Sequence, residues 1–174
     1  MKTTLACIPW LLVTAIAAQA QTPQAQAARA VAPIERRLAS GVEENRLGLL
    51  SSRSPGTAAG HFTAAYDHLN DARVRLTKVE SDHGGEYVYQ ERLRDLDTKI
   101  TKASGVSLLS LGSISLIRGQ HNKALGYVNT LLVLDPDNQD AKAMRARIEI
   151  AANESSQSIG GTGNVPSPGP TKTR

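Results

Sequence analysis

The sequence predicts an all-α protein of about six helices. Apolar residues between positions 33 and 153 recur at steps of three and four, the spacing that places them on one face of a helix. Short segments rich in Gly, Pro, Asp and Ser interrupt this pattern and mark turns. No stretch shows the alternation of apolar and polar residues that a half-buried strand requires, so we predict no strand.

The first three predicted helices each carry one apolar stripe. Pro33 suits the first turn of the first helix, because the N–H that proline lacks is not needed there. The segments 54–56 and 82–85 are turns that separate the three helices. The stripe residues are Ile34, Leu38, Val42 and Leu49 in the first helix, Phe62, Ala65, Leu69, Ala72, Leu76 and Val79 in the second, and Tyr89, Leu93, Leu96, Ile100 and Ala103 in the third.

The second half of the folded part is predicted to contain three further helices. Ser104-Gly105 predicts a weak break, after which residues 106–118 are apolar on most sides and should form the most buried helix. Gly119 turns the chain into a fifth helix, which Pro136 ends. Asn138 is expected to cap the sixth. The stripe residues are Ala124, Val128 and Leu131 in the fifth helix, and Ala141, Met144, Ile148 and Ala151 in the sixth.

The N-terminal residues 1–20 have the three-part pattern of a secretory signal peptide. Lys2 precedes an apolar run, and Ala18-Gln19-Ala20 is a small-x-small cleavage site. The run is shorter than the ~20 apolar residues that span a bilayer. We therefore expect export after cleavage, to the periplasm or alternatively by secretion, with no stable membrane anchor.

Composition divides the rest of the chain into three parts. Residues 21–32 are rich in Ala and Gln and are expected to be a flexible leader. Residues 33–153 form the predicted helical domain. Residues 154–174 are rich in Ser, Gly and Pro, so they cannot bury enough apolar surface to offset the entropy of ordering and should be disordered.

Composition and charge exclude several function classes. The single cysteine, Cys7, lies in the predicted signal, which leaves the exported chain without a disulfide, a thiolate nucleophile or a thiolate metal site. The net charge of +4 is small, with both signs interleaved, and aromatic residues make up only 3% of the chain. Nucleic-acid binding would need a basic stripe and usually aromatic platforms, so we do not expect it.

Catalytic and metal-binding motifs are also not found. The four histidines include no pair at i and i+4 that could grip a metal from one helix. The segment 135–146 resembles a calcium loop, but Asp140 takes the place of the required Gly and Ala146 that of the bidentate Glu. We expect no enzyme, cofactor or metal; a metal site at His68 or His83 is the weakest alternative.

Residues 105–138 resemble one tetratricopeptide repeat. Leu108, Leu111-Gly112, Ala124, Val128 and Pro136 fall in one register of the 34-residue pattern of that family. The small residues Gly112 and Ala124 would let two antiparallel helices approach closely. Ser115 and Leu131 depart from the pattern, so the fit between the helices must differ there.

A weaker resemblance covers residues 46–79. Gly60, Phe62, Ala65, Leu69 and Ala72 repeat the spacing of Gly119 to Leu131, but the first helix of this unit is broken and Thr77 replaces the closing proline. The two units are not in tandem. The resemblance implies TPR-like antiparallel helical hairpins.

The resemblance also implies a protein-binding scaffold. In this family the first helix of each unit lines the binding face; here that face would contain Val106, Leu109, Ser113, Leu116 and Ile117. We expect this face either to form an apolar peptide groove or, more in keeping with its apolar character, to be covered by residues 86–103. The predicted function is an exported scaffold for a protein or peptide partner, in envelope assembly or secretion. The alternative is a self-associating structural subunit, a homo-oligomer.

Overall fold

A computed structural model describes residues 22–160, with side chains through Ser156. This part of the chain forms five helices and no strand, which confirms the all-α prediction. The helices are α1 (Pro23–Leu50), α2 (Pro55–His83), α3 (Tyr87–Ile117), α4 (His121–Leu134) and α5 (Gln139–Gly160). The predicted signal peptide and most of the predicted disordered tail lie outside the described residues.

Two predicted flexible segments are partly helical. α1 begins at Pro23, so residues 23–32 of the predicted leader form its first turns, and Ala27 and Val31 are buried. The Thr22 hydroxyl caps this helix by accepting a hydrogen bond from the Ala25 N–H at 3.3 Å. At the other end, α5 continues through Gly160, so residues 154–160 of the predicted tail are also helical.

The prediction of six helices is corrected to five because α3 passes through Ser104-Gly105 without a break. Both residues are buried in the middle of the helix. A turn at this buried position would leave backbone polar groups without partners, which costs more than the ~1 kcal/mol by which Gly is inferior to Ala in a helix. The packing of the neighbouring helices therefore decides the local structure.

The first half of the molecule is a three-helix bundle of α1, α2 and the N-terminal part of α3. α1 runs parallel to α3, as ion pairing of Glu35 with Arg92 and hydrogen bonding of Asn45 to Ala103 show. α2 lies antiparallel to both. Its buried residues alternate small and large at steps of four and three, which suits close packing of long helices; they are Ala58, Phe62, Ala65, Leu69, Ala72 and Leu76.

The buried face of α1 matches its predicted stripe at Ile34 and Leu38 but differs from it farther along the helix. Gly41 and Gly48 are buried, whereas Val42 and Leu49 are 50% and 57% exposed. A Cβ added at Gly41 would lie 2.6 Å from Leu69 Cγ, and one at Gly48 would lie 2.8 Å from Phe62 Cε1. The two helices thus approach so closely that only glycine fits at these positions, and Val42 and Leu49 face outward.

The second half packs the C-terminal part of α3 against α4 and α5. Gly119 adopts a φ of 70° in the turn after α3, a conformation that glycine accepts readily. The Asn138 side chain accepts a 2.9 Å hydrogen bond from the Ala141 N–H, which confirms the predicted cap. The buried residues of this core are Leu108, Ala124, Val128, Leu131, Ala141 and Ile148.

α3 belongs to both halves. Among the described helices it is the one whose length and composition would allow it to cross a membrane. It contacts each of the other four helices and contributes buried residues to all three apolar clusters. Of the 18-residue apolar window of this helix, 44% is buried inside the molecule.

Candidate protein-binding groove

A groove of about 340 Å³ opens at the end of the molecule where α1 ends and α2 begins. Asn45 and Ser107 join α1 to α3 by a buried hydrogen bond, and beyond this contact the two helices form opposite walls of the groove. Its lining residues are Gly48, Leu49 and Ser52 of α1 and the following turn, Pro55, Ala58 and Phe62 of α2, and Ser110, Ser113, Ile114, Ile117 and Arg118 of α3 and its C-cap.

The groove has an apolar floor and an apolar rim. Ala58 and Phe62 are buried at its base, where they form a small cluster with Leu111. Leu49 and Ile117 stand on the rim, and the side chain of Ile117 is 83% exposed. Single exposed apolar residues are common on protein surfaces, but two of them beside an apolar cavity make a surface that a partner can cover.

The predicted binding residues of α3 do not share one face. Ser113 and Ile117 line the groove. Leu109 and Leu116 instead pack against the core formed with α4 and α5. Val106 is 40% exposed and does not line the groove. The predicted binding residues therefore lie on different faces of α3, because one side of this helix lines the groove and another packs against α4 and α5.

The expectation that residues 86–103 cover this face is corrected. Residues 87–103 are the first half of α3 itself and continue directly into residues 106–117. A straight helix cannot fold back onto its own C-terminal half, so this segment packs on α1 and α2 and leaves the groove uncovered by it.

Arg118 places a positive charge at one end of the groove, and a second arginine lies in the neighbouring turn. Arg118 lines the groove, and Arg53 lies in the α1–α2 turn between the lining residues Ser52 and Pro55. Neither forms an ion pair with another described residue. No carboxylate is among the groove's lining residues.

Some other surface arginines have carboxylate partners, whereas Arg29, Arg36, Arg94 and Arg147 also form no ion pair with a described residue. Arg46 contacts Glu43 at 2.7 Å, and its hydrogen bond lowers the pKa of the Glu43 carboxyl while the pKa of Arg46 is raised. Arg37 contacts Asp71 at 2.7 Å. The two arginines at the groove differ from these in leaving their charge available to another molecule.

The histidines lie apart from the groove's lining. His83 is 2.8 Å from a carboxylate oxygen of Glu86 and stacks on Tyr89, while His68 approaches Arg37 at 3.3 Å. Within the described residues, no group of three or more His, Cys, Asp or Glu side chains could hold a metal ion. This geometry does not favour a metal site at His68 or His83.

Comparisons with known proteins do not place the chain in a family. No protein-family model matches it, and no curated protein or solved structure is similar to it at a significant level. The resemblance to a tetratricopeptide repeat therefore rests on the residues quoted above, and the groove has to be interpreted from its own chemistry.

Proposed function

We propose that this protein is an interaction module that binds a segment of a partner protein in the groove between α1, α2 and α3. The observation that carries the proposal is the apolar floor of Ala58 and Phe62 beneath the exposed rim of Leu49 and Ile117. Binding sites combine such a concave apolar surface with a few polar groups, and Ser110 and Arg118 supply them here, while the Ser113 hydroxyl donates a hydrogen bond to Met144 Sδ.

The proposal includes the repeat-like hairpin. The C-terminal half of α3 and α4 follow one another through the turn at Gly119. In this proposal they correspond to the two helices of one tetratricopeptide unit. A Cβ added at Gly112 would be 3.0 Å from Met144 Sδ of α5 and would make ordinary contacts with α4, 3.5 Å from Val128 Cγ2 and 3.8 Å from the Ala124 carbonyl oxygen, so Gly112 packs against both helices. Export to the periplasm, and a role there in envelope assembly or secretion, rests on residues 1–20.

Self-association is the second candidate function. Leu50, which follows the rim residue Leu49 in the chain, is 69% exposed, and a second copy of the chain could bury it together with Ile117. The same groove would then be an interface within a homo-oligomer.

Photo-cross-linking from inside the groove tests the proposal. A photo-reactive residue at position 113, in the chain incubated with envelope extract, should give an adduct with a specific partner. The adduct should disappear with Ile117→Arg, which places a charge on the groove rim, and persist with Val133→Arg, which changes an exposed residue of α4. An adduct that Ile117→Arg does not reduce, or none at all, would contradict the proposal; adducts between copies would favour self-association.

A further inference from the structure

We infer that the segment bound in the groove is a short amphipathic helix with an acidic side chain next to its apolar anchors. This inference rests on the proposed function and specifies the chemistry of the partner. The apolar anchors fill the space above Ala58 and Phe62, and the acidic side chain lies beside Arg53 and Arg118.

The size of the groove limits what can enter it. Its volume of about 340 Å³ corresponds to roughly eleven water molecules at ~30 Å³ each. It lies at the small end of the range of ligand pockets, about 300–1,000 Å³. The space suits a few large side chains and not a whole domain. A helix laid along a groove presents such anchors at positions i, i+3 or i+4, and i+7.

The neighbouring helices favour a helical segment. α1 and α3 run parallel to one another, and beyond the hydrogen bond between Asn45 and Ser107 residues of both helices line the groove. The groove between two such helices, with α2 beneath, is the position that another helix occupies in a four-helix arrangement. The bound helix would satisfy its own backbone hydrogen bonds and need only apolar contacts from the walls.

The charges at the groove select the polar part of the partner. Arg118 lines the groove, and Arg53 lies in the turn whose residues Ser52 and Pro55 line it; neither arginine has an ion-pair partner among the described residues. Arginine binds carboxylates through a planar fork of donors. An Asp or Glu one turn away from the apolar anchors would complement both guanidinium groups.

The same charges disfavour a second copy of this chain as the occupant. A two-fold dimer through the groove brings identical patches together, including Arg53 and Arg118 of each copy. The lining of the patch supplies no carboxylate to pair with them. Because facing like charges weaken association, a partner of opposite charge fits this surface better.

A charge-swap selection tests the inference. A display library of random 16-residue helical peptides would be selected against the full chain and against the variant Arg53→Glu/Arg118→Glu. The wild-type chain should enrich peptides with apolar residues at helical spacing and Asp or Glu in the adjoining turn. The variant should enrich peptides with Lys or Arg at that place. Leu49→Asp/Ile117→Asp serves as the control that removes the apolar rim, and it should enrich neither class.

The affinity of the chain for one selected acidic peptide measures how much the two arginines contribute to binding. Arg53→Gln/Arg118→Gln should weaken it about fivefold, since exposed ion pairs are individually weak. Raising the salt concentration to 1 M, where the Debye length is about 3 Å, should abolish the difference between wild type and variant. Both arginines are exposed, so circular dichroism should show an unchanged helix content.

The outcomes separate this inference from the proposed function. Some selected peptides could require Leu49 and Ile117 but show no preference for acidic residues, or the charge-swapped variant could fail to select basic ones. Either outcome would overturn the inference but not the proposed interaction module. Enrichment that the Leu49→Asp/Ile117→Asp control does not reduce, or no enrichment, would overturn both. Light scattering that shows a dimer disrupted by Ile117→Arg would assign the groove to a second copy and also overturn the inference.

Discussion

The hydroxyl of Ser107 on α3 donates a 2.8 Å hydrogen bond to the side-chain oxygen of Asn45 on α1. The Asn45 amide in turn donates a 2.9 Å hydrogen bond to the carbonyl oxygen of Ala103. Asn45 is 5% exposed and Ser107 is fully buried. Because buried polar groups need partners, this pair fixes the register of α1 against α3 at the point where the groove begins.

Truncation of Asn45 should therefore destabilise the protein. Asn45→Ala leaves the Ser107 hydroxyl without its principal acceptor, and we expect the free energy of unfolding to fall by about 1–3 kcal/mol. Denaturant unfolding of Asn45→Ala, Ser107→Ala and the double variant measures the interaction free energy between the two side chains. Losses that simply add in the double variant would contradict a direct interaction between the two side chains.

The contact between α1 and α2 makes glycine necessary at two positions. Gly41→Ala and Gly48→Ala place a methyl group against Leu69 and Phe62, at 2.6 Å and 2.8 Å. We expect each variant to lose about 1–3 kcal/mol of stability through overpacking. The measurement is the thermal or denaturant midpoint of each variant.

Gly60→Ala and Gly126→Ala are matched controls on helices α2 and α4. A Cβ at either position meets nothing within 4 Å. They should gain about 0.5–1 kcal/mol from the better helix propensity of alanine. If Gly41→Ala and Gly48→Ala stabilise the protein as the controls do, the close approach of α1 and α2 is wrong.

The continuity of α3 can be tested at Gly105. A Cβ there would make an ordinary contact of 3.6 Å with Leu131 Cδ1. In an unbroken helix Gly105→Ala should raise stability by up to about 1 kcal/mol, because alanine is the better helix former. If the chain turned at Ser104-Gly105, Gly105→Ala would instead lower the stability. A destabilised Gly105→Ala variant would therefore support six helices instead of five.

The sequence predicts those elements that are marked by large apolar residues at helical spacing or by turn and capping residues at their ends. The stripe of α2, the turn at Gly119 and the cap at Asn138 follow from local rules, and the structure contains each of them. The inward face of α1 could not be predicted in this way. Its buried positions Gly41 and Gly48 carry no side chain, and only the approach of α2 shows that they face inward.

The groove is less predictable than the helices. Ser113 and Ile117 are among the binding residues that the resemblance to a tetratricopeptide repeat predicts, and both line the groove. Leu49 and Phe62 were missed as site residues, since they come from other helices and meet α3 only in the folded chain. The spacing of Phe62 marked a core stripe, and no pattern within α1 distinguishes the rim residue Leu49 from a core residue.

The contribution of α5 to the core gives a further prediction. Ile148 is fully buried, whereas Ile150 on the same helix is mostly exposed. Ile148→Ala should cost about 2–5 kcal/mol through the lost apolar contacts and the cavity left behind. Ile150→Ala should cost less than about 0.5 kcal/mol. Equal losses measured by denaturant unfolding would show that α5 does not pack as described.

The central claim, that the free protein presents an open apolar groove, is tested most directly by thiol labelling at Ser113. The full chain would carry Cys7→Ser together with Ser113→Cys, and Ser115→Cys would be the buried control on the same helix. We predict that Ser113→Cys reacts much faster than the control, at a rate independent of protein concentration up to high micromolar. A rate as slow as the control's, or one that falls as concentration rises, would contradict the claim, because the groove would then be closed or covered by a second copy.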